Sequence, residues 1–148
     1  MREPIEPKQD DFSDSPIVTE SIVPVSLQFF EALAGGDELL VSSREAGREG
    51  TVPAWFVLDP PVGIYLFTYA YAIRVQRWRN DPWVRLSVPG TAISIEGTVR
   101  FVGPGELTEG LSCLVVDRWG MWGATTPEGL RRMLVDGSHV LVRVILQA

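Results

Sequence analysis

The stretch from Thr51 to Val88, TVPAWFVLDPPVGIYLFTYAYAIRVQRWRNDPWVRLSV, decides the fold of this chain of 148 residues. Its first part, Val52 to Leu58, is apolar and rich in residues that favour strands. The sequence Asp-Pro-Pro-Val-Gly then supplies typical turn residues, and Ile64 to Thr68 is β-prone again. The pattern predicts two strands joined as a hairpin by a five-residue connection.

The second half of the stretch changes its periodicity at Tyr71. Apolar residues alternate there with arginines, which predicts a short helix whose basic face carries Arg74, Arg77 and Arg79. The helix is expected to end at Asp81, because a residue before proline is pushed out of the α region. A third strand is predicted from residue 83 to residue 88.

The remaining chain predicts further strands and short helices around this unit. Strands are predicted at residues 39–43, 92–102 and 140–146, and helices at residues 25–33, 106–119 and 126–135. The polar residues 44–50 predict a turn, and Gly97 predicts a β-bulge or a sharp bend. Several short strands with few helices indicate an antiparallel barrel or sandwich. Residues 1–20 predict a flexible arm, or one that is ordered only against a partner subunit, and residues 21–148 predict a single domain.

Composition and charge narrow the class of protein. With 45% hydrophobic and 22% charged residues, the chain has the composition of a soluble globular protein. The net charge of −6 disfavours a surface for nucleic acid, and no apolar run is long enough to span a membrane. The N-terminus lacks the apolar core of a signal peptide. We expect a cytoplasmic protein that binds neither membrane nor nucleic acid, with the single Cys113 as a small core residue.

Thr68 and Arg74 form the strongest candidate binding site. Thr68 ends a predicted strand, and the next helix begins a few residues later. A hydroxyl, a guanidinium and free backbone N–H groups can therefore converge on a phosphate. The alternative is that the arginines form only a solvated helix face. In the preceding strand, Trp55 and Phe56 point to opposite faces, so one is expected in the core and the other beside a pocket or a partner.

The chain offers little catalytic machinery of its own. His139 is the only histidine, so the sequence predicts no metal cluster, and no nucleophile–base order stands out. An enzyme of this sequence would take its chemistry from a cofactor. Two interpretations stay open for Trp119 and Trp122. Either they cover the substrate side of a pocket or pack across a dimer, or they simply pack in the protein.

The order of these features resembles the flavin- and deazaflavin-binding split β-barrel proteins related to pyridoxamine 5′-phosphate oxidase. The features are the Trp55-Phe56 pair, a strand ending in Thr68, Arg74 six positions later, the Asn80-Asp81-Pro82 sequence and the segment from Ile95 to Val99. The resemblance implies a mainly β, antiparallel split β-barrel with short helices. It also implies a homodimer that holds FMN or the deazaflavin coenzyme (F-420) at the subunit interface, and that passes a hydride between the bound ring and a small organic substrate.

The same resemblance implies which residues meet the cofactor. Thr68 and Arg74 would hold its phosphate, with arginine at a position where the family commonly has lysine. The strand residues Val52, Pro53, Ala54 and Trp55 would line the ring or its ribityl chain, and Tyr69 and Trp78 complete the predicted set. Trp78 replaces the usual leucine, and its alternative is a place in the core or in a dimer interface.

Three other functions stay open from the sequence. The first is haem binding, for which His139 is the only candidate axial ligand. The second is a barrel that carries or senses a flavin-like ligand without turnover. The third is a dimeric scaffold that has lost its cofactor.

Overall fold

The computed structural model describes residues 25–34, 36–59 and 63–147, and the predicted arm at residues 1–20 lies outside them. The strands in this part are β1 (Glu38–Glu45), β2 (Arg48–Trp55), β3 (Val57–Asp59), β4 (Gly63–Tyr69), β5 (Trp83–Ser87), β6 (Ser94–Phe101) and β7 (His139–Leu146). The helices are α1 (Val25–Leu33), α2 (Ile73–Asn80), α3 (Glu109–Trp119) and α4 (Pro127–Val135), with 3₁₀ turns at Pro104–Glu106 and Gly120–Trp122.

The strands form one antiparallel sheet in the order β2-β1-β5-β6-β7-β4-β3. Its two edge strands, β2 and β3, follow each other in the chain and are separated by Phe56 alone. Because one residue spans only about 3.5 Å, the two edges of the sheet must meet at this point. The sheet therefore curls into a barrel that is split where Trp55 leaves one edge and Val57 joins the other. We call this place the seam. The predicted antiparallel, mainly β class is confirmed.

The seam corrects one expectation from the sequence. Residues 52–58 are predicted as a single strand, but the structure divides them between β2 and β3 on opposite edges of the sheet. The physical reason is Phe56, whose side chain is 3% exposed and anchors the crossing in the core. The predicted hairpin that follows is confirmed, because β3 and β4 pair antiparallel with Leu58 opposite Ile64.

The inside of the barrel holds the larger core. Aliphatic side chains from β1, β4, β5, β6 and β7 meet there, and the buried Phe29 of α1 packs against them. Helix α2 adds Val75 and Trp78, so its apolar side faces the barrel as its periodicity predicts. Ile73 of the same helix is 70% exposed and takes no part in this core.

A second core lies on the outer face of β4 and β7. Tyr65, Phe67 and Leu141 point to this side and pack against helices α3 and α4. Strand β4 is thus buried on both faces, which explains its almost unbroken apolar sequence. The start of α4 is formed as predicted, since the Thr126 hydroxyl accepts a hydrogen bond of 2.9 Å from the Gly129 N–H and proline follows at the first helical position.

Three further expectations are wrong. The polar segment 44–50 is mostly strand, because β1 and β2 continue to a two-residue turn at Ala46 and Gly47. Gly97 makes no bulge, since its strand keeps an unbroken register with both neighbours. Cys113 is exposed on α3 rather than buried. No helix in the described part of the chain is long and apolar enough to cross a membrane.

Candidate functional site

A cavity of about 310 Å³ lies beside the seam. Strand β2 forms one side of the cavity, and the end of β4 and the start of β7 form the opposite side. Helices α2 and α3 each add one residue to the lining. The lining residues are Glu38, Pro53, Ala54, Trp55, Phe67, Thr68, Tyr69, Arg74, Trp119 and His139. Six of the eight residues that the sequence predicts for cofactor binding are among them. The cavity is at the lower end of the ~300–1,000 Å³ range of small-molecule sites.

Arg74 and Thr68 form the polar anchor of the cavity. The Arg74 guanidinium donates a hydrogen bond of 2.8 Å from Nη2 to the Thr68 hydroxyl. Its Nε is buried and has no hydrogen-bond partner in the described part of the chain. Burial lowers the pKa of Arg74 from its ordinary value, yet arginine stays charged at neutral pH. The cavity therefore contains a fixed positive charge whose hydrogen-bonding capacity is only partly used.

The start of helix α2 adds to this positive character. Helix α2 begins at Ile73, and Arg74 is its second residue. Ala72, just before the helix, is extended and makes no side-chain capping hydrogen bond. The first N–H groups of a helix lack partners within the helix and carry its positive dipole end. Arg74 and the uncapped helix start therefore favour an anionic group at the same end of the cavity.

The opposite side of the cavity is the edge strand β2. Pro53, Ala54 and Trp55 line the cavity from this strand, which has β1 as its one neighbour in the described sheet. Trp55 packs against the outer core, whereas Phe56 is buried in the inner one, which confirms the predicted division of this pair. An edge strand can offer its backbone N–H and C=O groups to a bound molecule.

Two of the predicted residues lie elsewhere. Val52 is 38% exposed on β2 and does not line the cavity. Trp78 is 1% exposed inside the barrel, where its indole Nε1–H has no hydrogen-bond partner in the described residues. It is therefore a core residue in this structure, as the alternative interpretation expects.

A row of aromatic rings forms another wall of the cavity. The sequence predicts Tyr69 there, and Trp119 in one interpretation, but not Phe67. Phe67 contacts Trp119 with ring centroids 5.6 Å apart and stacks on His139 at 5.2 Å. Tyr69 lies 4.7 Å from His139 and stacks on Tyr71 at 5.2 Å. Trp119 thus lines the cavity as one of its two interpretations expects, while the side chain of Trp122 lies outside the described part of the protein.

Glu38 is a lining residue that sequence reasoning missed, and His139 was considered there only as a ligand for haem. Each reaches the cavity through strand register, with His139 opposite Tyr69 and Glu38 opposite Trp55. No local motif marks either residue. The only signals available would have been the pairing of β7 with β4 for His139 and the pairing of β1 with β2 for Glu38.

Comparison with solved structures identifies the fold of this chain. No protein-family model matches the chain, and no curated protein matches it. Solved structures do match. A candidate pyridoxamine 5′-phosphate oxidase from Listeria innocua superposes with a TM-score of 0.58 at 12% identity, over 82% of this chain and 92% of that one. The chain has the split-barrel fold of pyridoxamine 5′-phosphate oxidase-like proteins.

Other split barrels differ in what they bind. An FAD-binding protein from Mesorhizobium loti matches with a TM-score of 0.56 at 14% identity, covering 83% of this chain and 88% of that one. The haem storage protein HutZ from Vibrio cholerae matches with a TM-score of 0.56 at 14% identity, covering 85% of this chain and 92% of that one. At these identities the likeness establishes the split-barrel fold, and the function has to be argued from the cavity itself.

Proposed function

We propose that this split barrel is a flavin- or deazaflavin-dependent oxidoreductase. The observation that carries the proposal is the Arg74–Thr68 anchor at the start of α2, beside an aromatic cavity. The bound ring would supply hydride transfer to or from a small organic substrate. The residues of this chain would bind and orient that ring and exclude water from it.

The anchor fits a cofactor phosphate. Arg74 donates one hydrogen bond to Thr68, which fixes the guanidinium, and its side chain lines the cavity. A phosphate oxygen is a strong acceptor for such a donor, and hydrogen bonds between charged groups are about twice as strong as neutral ones. FMN carries a single terminal phosphate, and one guanidinium with one hydroxyl can donate hydrogen bonds to it and neutralise part of its charge.

The remaining wall fits a planar ring. Trp55, Phe67, Tyr69 and Trp119 surround the space next to the anchor with aromatic side chains. The nearby backbone of Pro53 and Ala54 belongs to the edge strand, which has polar groups to offer the ring's hydrogen-bonding edge. Glu38 is the only acid of this lining, so anions are favoured at the Arg74 end and neutral groups near β2.

We also propose that the site is completed in a homodimer. The cavity of about 310 Å³ is small for a phosphorylated three-ring cofactor, so part of such a ligand would extend beyond it. A second subunit placed over the seam would cover that part. Light scattering should then give the mass of two chains, and a monomer that binds cofactor fully would overturn this assembly.

The experiment that tests the function is a titration of wild type and Arg74→Ala with FMN and with the deazaflavin coenzyme. Five tryptophans make intrinsic fluorescence a sensitive reporter. We expect quenching by one of the two rings. Loss of a charge-assisted hydrogen bond should weaken binding by about 1.5–3 kcal/mol, or roughly 10–150-fold.

The matched control is Arg79→Ala on the same helix. Arg79 stacks over Phe101 with a distance of 4.6 Å and does not line the cavity, so its loss should leave affinity unchanged. Equal binding by wild type and Arg74→Ala would remove Arg74 from the site. Binding of haem but of neither flavin, lost in His139→Ala, would favour the second candidate function, which the presence of the only histidine in the cavity supports.

A further inference from the structure

His139 presents only part of its ring to the cavity. It starts β7 opposite Tyr69 of β4. Its imidazole stacks on Phe67, with centroids 5.2 Å apart and planes 10° apart, and it is tilted against Tyr69. Two neighbouring rings thus contact the imidazole, and His139 also lines the cavity.

One of the two ring nitrogens is already engaged. His139 Nδ1 lies 2.9 Å from the Ser138 hydroxyl. That hydroxyl also lies 3.4 Å from the carbonyl oxygen of Met133, to which it can only donate. If the hydroxyl hydrogen points to Met133, its oxygen is free to accept from Nδ1–H, and both contacts are satisfied. We assign the ring proton to Nδ1 because only this arrangement satisfies both contacts of the Ser138 hydroxyl, and the assignment leaves Nε2 with a free lone pair.

The turn before β7 keeps Ser138 in place. The Ser138 N–H donates a hydrogen bond of 2.9 Å to Asp136 Oδ1 just after helix α4. The Ser138 carbonyl accepts one of 3.0 Å from the Ala70 N–H, just after β4. Ser138 is therefore fixed from both sides, and so is the Nδ1 partner of His139.

We propose that His139 is a ligand-binding residue whose Nε2 accepts a hydrogen bond from the N–H or O–H edge of a planar ligand. The inference rests on the proposed cofactor function and adds a second polar anchor to it. Arg74 would hold the anionic group and His139 a donor group on the ring, such as the imide N–H of FMN. Within the described residues, Nε2 makes no hydrogen bond and is not one of the buried unpaired atoms.

The acceptor role makes binding depend on pH in a defined direction. Protonation of His139 turns Nε2 into a donor, so affinity should fall as pH falls through the histidine pKa. Burial lowers that pKa below its ordinary value, while the charge of Asp136 opposes the effect. The other titratable or charged residues that line a cavity together with His139 are Tyr69, Tyr71, Glu38, Arg74 and Arg79.

The protonation pattern can be measured directly, because the chain contains a single histidine. Nitrogen-15 NMR of the full-length protein without a histidine tag should show Nδ1 protonated and Nε2 unprotonated at pH 7.5. Addition of FMN should shift the Nε2 resonance. Ser138→Ala should raise the population of the other tautomer. A free protein with its proton on Nε2 would overturn the proposal.

Two variants test the contact with the ligand. At pH 7.5, His139→Leu should weaken FMN binding about 5- to 30-fold, which corresponds to the loss of one hydrogen bond. His139→Gln keeps a neutral hydrogen-bonding group, so it should recover most of the affinity and lose the imidazole's share of the pH dependence between pH 5 and 8. The share that comes from the FMN phosphate, whose second pKa is about 6, should remain. A purely structural histidine would not show this separation of affinity from pH dependence.

The outcomes separate this proposal from the proposed function. If Arg74→Ala weakens FMN binding but His139→Leu does not, the function stands and the His139 contact is wrong. If neither FMN nor the deazaflavin coenzyme binds the wild type, the proposed function fails, and the proposal for His139, which rests on it, fails with it.

Discussion

At the scale of single residues, Gly97 shows how closely neighbouring strands approach in the barrel. It lies opposite Val84 of β5 and Leu146 of β7. A methyl group on its Cα would overlap the backbone carbonyl of Ile145, which cannot move without breaking the sheet. From the sequence, the glycine at position 97 was explained by a bulge or a bend, whereas the structure shows close packing against β7. A glycine within a strand is compatible with each of these, so the sequence does not distinguish them.

Gly97→Ala should therefore destabilise the protein by about 1–3 kcal/mol, the usual range for an overpacked interior. Gly110→Ala is the matched control, since nothing lies within 4 Å of the added methyl and the residue is in helix α3. The control should keep or slightly raise stability. Urea denaturation followed by tryptophan fluorescence measures both, and an unchanged midpoint for Gly97→Ala would contradict the close approach.

At the scale of elements, the β1–β2 hairpin is the least predictable part of the fold. Its turn places Ala46 at φ 52° and Gly47 at φ 79°. Two residues with positive φ are typical of a type I′ turn, where asparagine–glycine is the usual pair. Because alanine does not favour this conformation, the sequence at residues 44–50 suggests a loop. Helices α1, α2 and α4, by contrast, have clear periodicity and end signals, and their predictions are confirmed.

Ala46→Asn should stabilise the hairpin by roughly 0.5–1 kcal/mol, because asparagine tolerates the left-handed region better than alanine. Ala46→Val should act in the opposite direction, since a β-branched residue is disfavoured there. The free energy of unfolding from chemical denaturation compares the three proteins. A lower stability for Ala46→Asn than for wild type would mean that the turn adopts another geometry in solution.

At the scale of the whole molecule, the cavity depends on segments far apart in the chain. Thr68 and Arg74 lie six positions apart, so a local pattern was enough to predict that they share a site. Trp55 was added to that site by the resemblance to the split-barrel family. His139 joins them through the pairing of β7 with β4, more than sixty positions away in sequence. Trp78 was misplaced for a related reason, because helical spacing alone does not tell which buried ring meets a cavity and which fills a core.

The stability of the whole fold should depend on pH in two steps. Burial lowers the pKa of His139, so the folded state resists its protonation and stability should fall as pH drops from about 6.5 to that lowered pKa. The pKa of Asp81, which accepts from Arg44, and that of Glu106, which accepts from the Gly103 N–H, are also lowered. Their contributions should be lost below about pH 4.

Melting temperature measured from pH 8 to pH 3 tests these two steps. We expect His139→Gln to remove the first decrease and to keep the second, because glutamine does not titrate. If the wild-type melting temperature is flat between pH 7 and pH 5, or if His139→Gln declines as steeply as wild type, burial of the imidazole does not destabilise its charged form.

The position of β7 in the sheet has a consequence for protein synthesis. This strand is the last element in the described chain, yet it lies between β6 and β4. While residues 139–146 are still inside the ribosome, the emerged strands form two separate groups, β2-β1-β5-β6 and β4-β3, that no hydrogen-bonded pairing joins. The nascent chain would thus leave one edge of β6 and one edge of β4 unpaired until β7 emerges. Unpaired strand edges promote aggregation. A ribosome that stalls before β7 emerges would therefore hold the chain in its most aggregation-prone state.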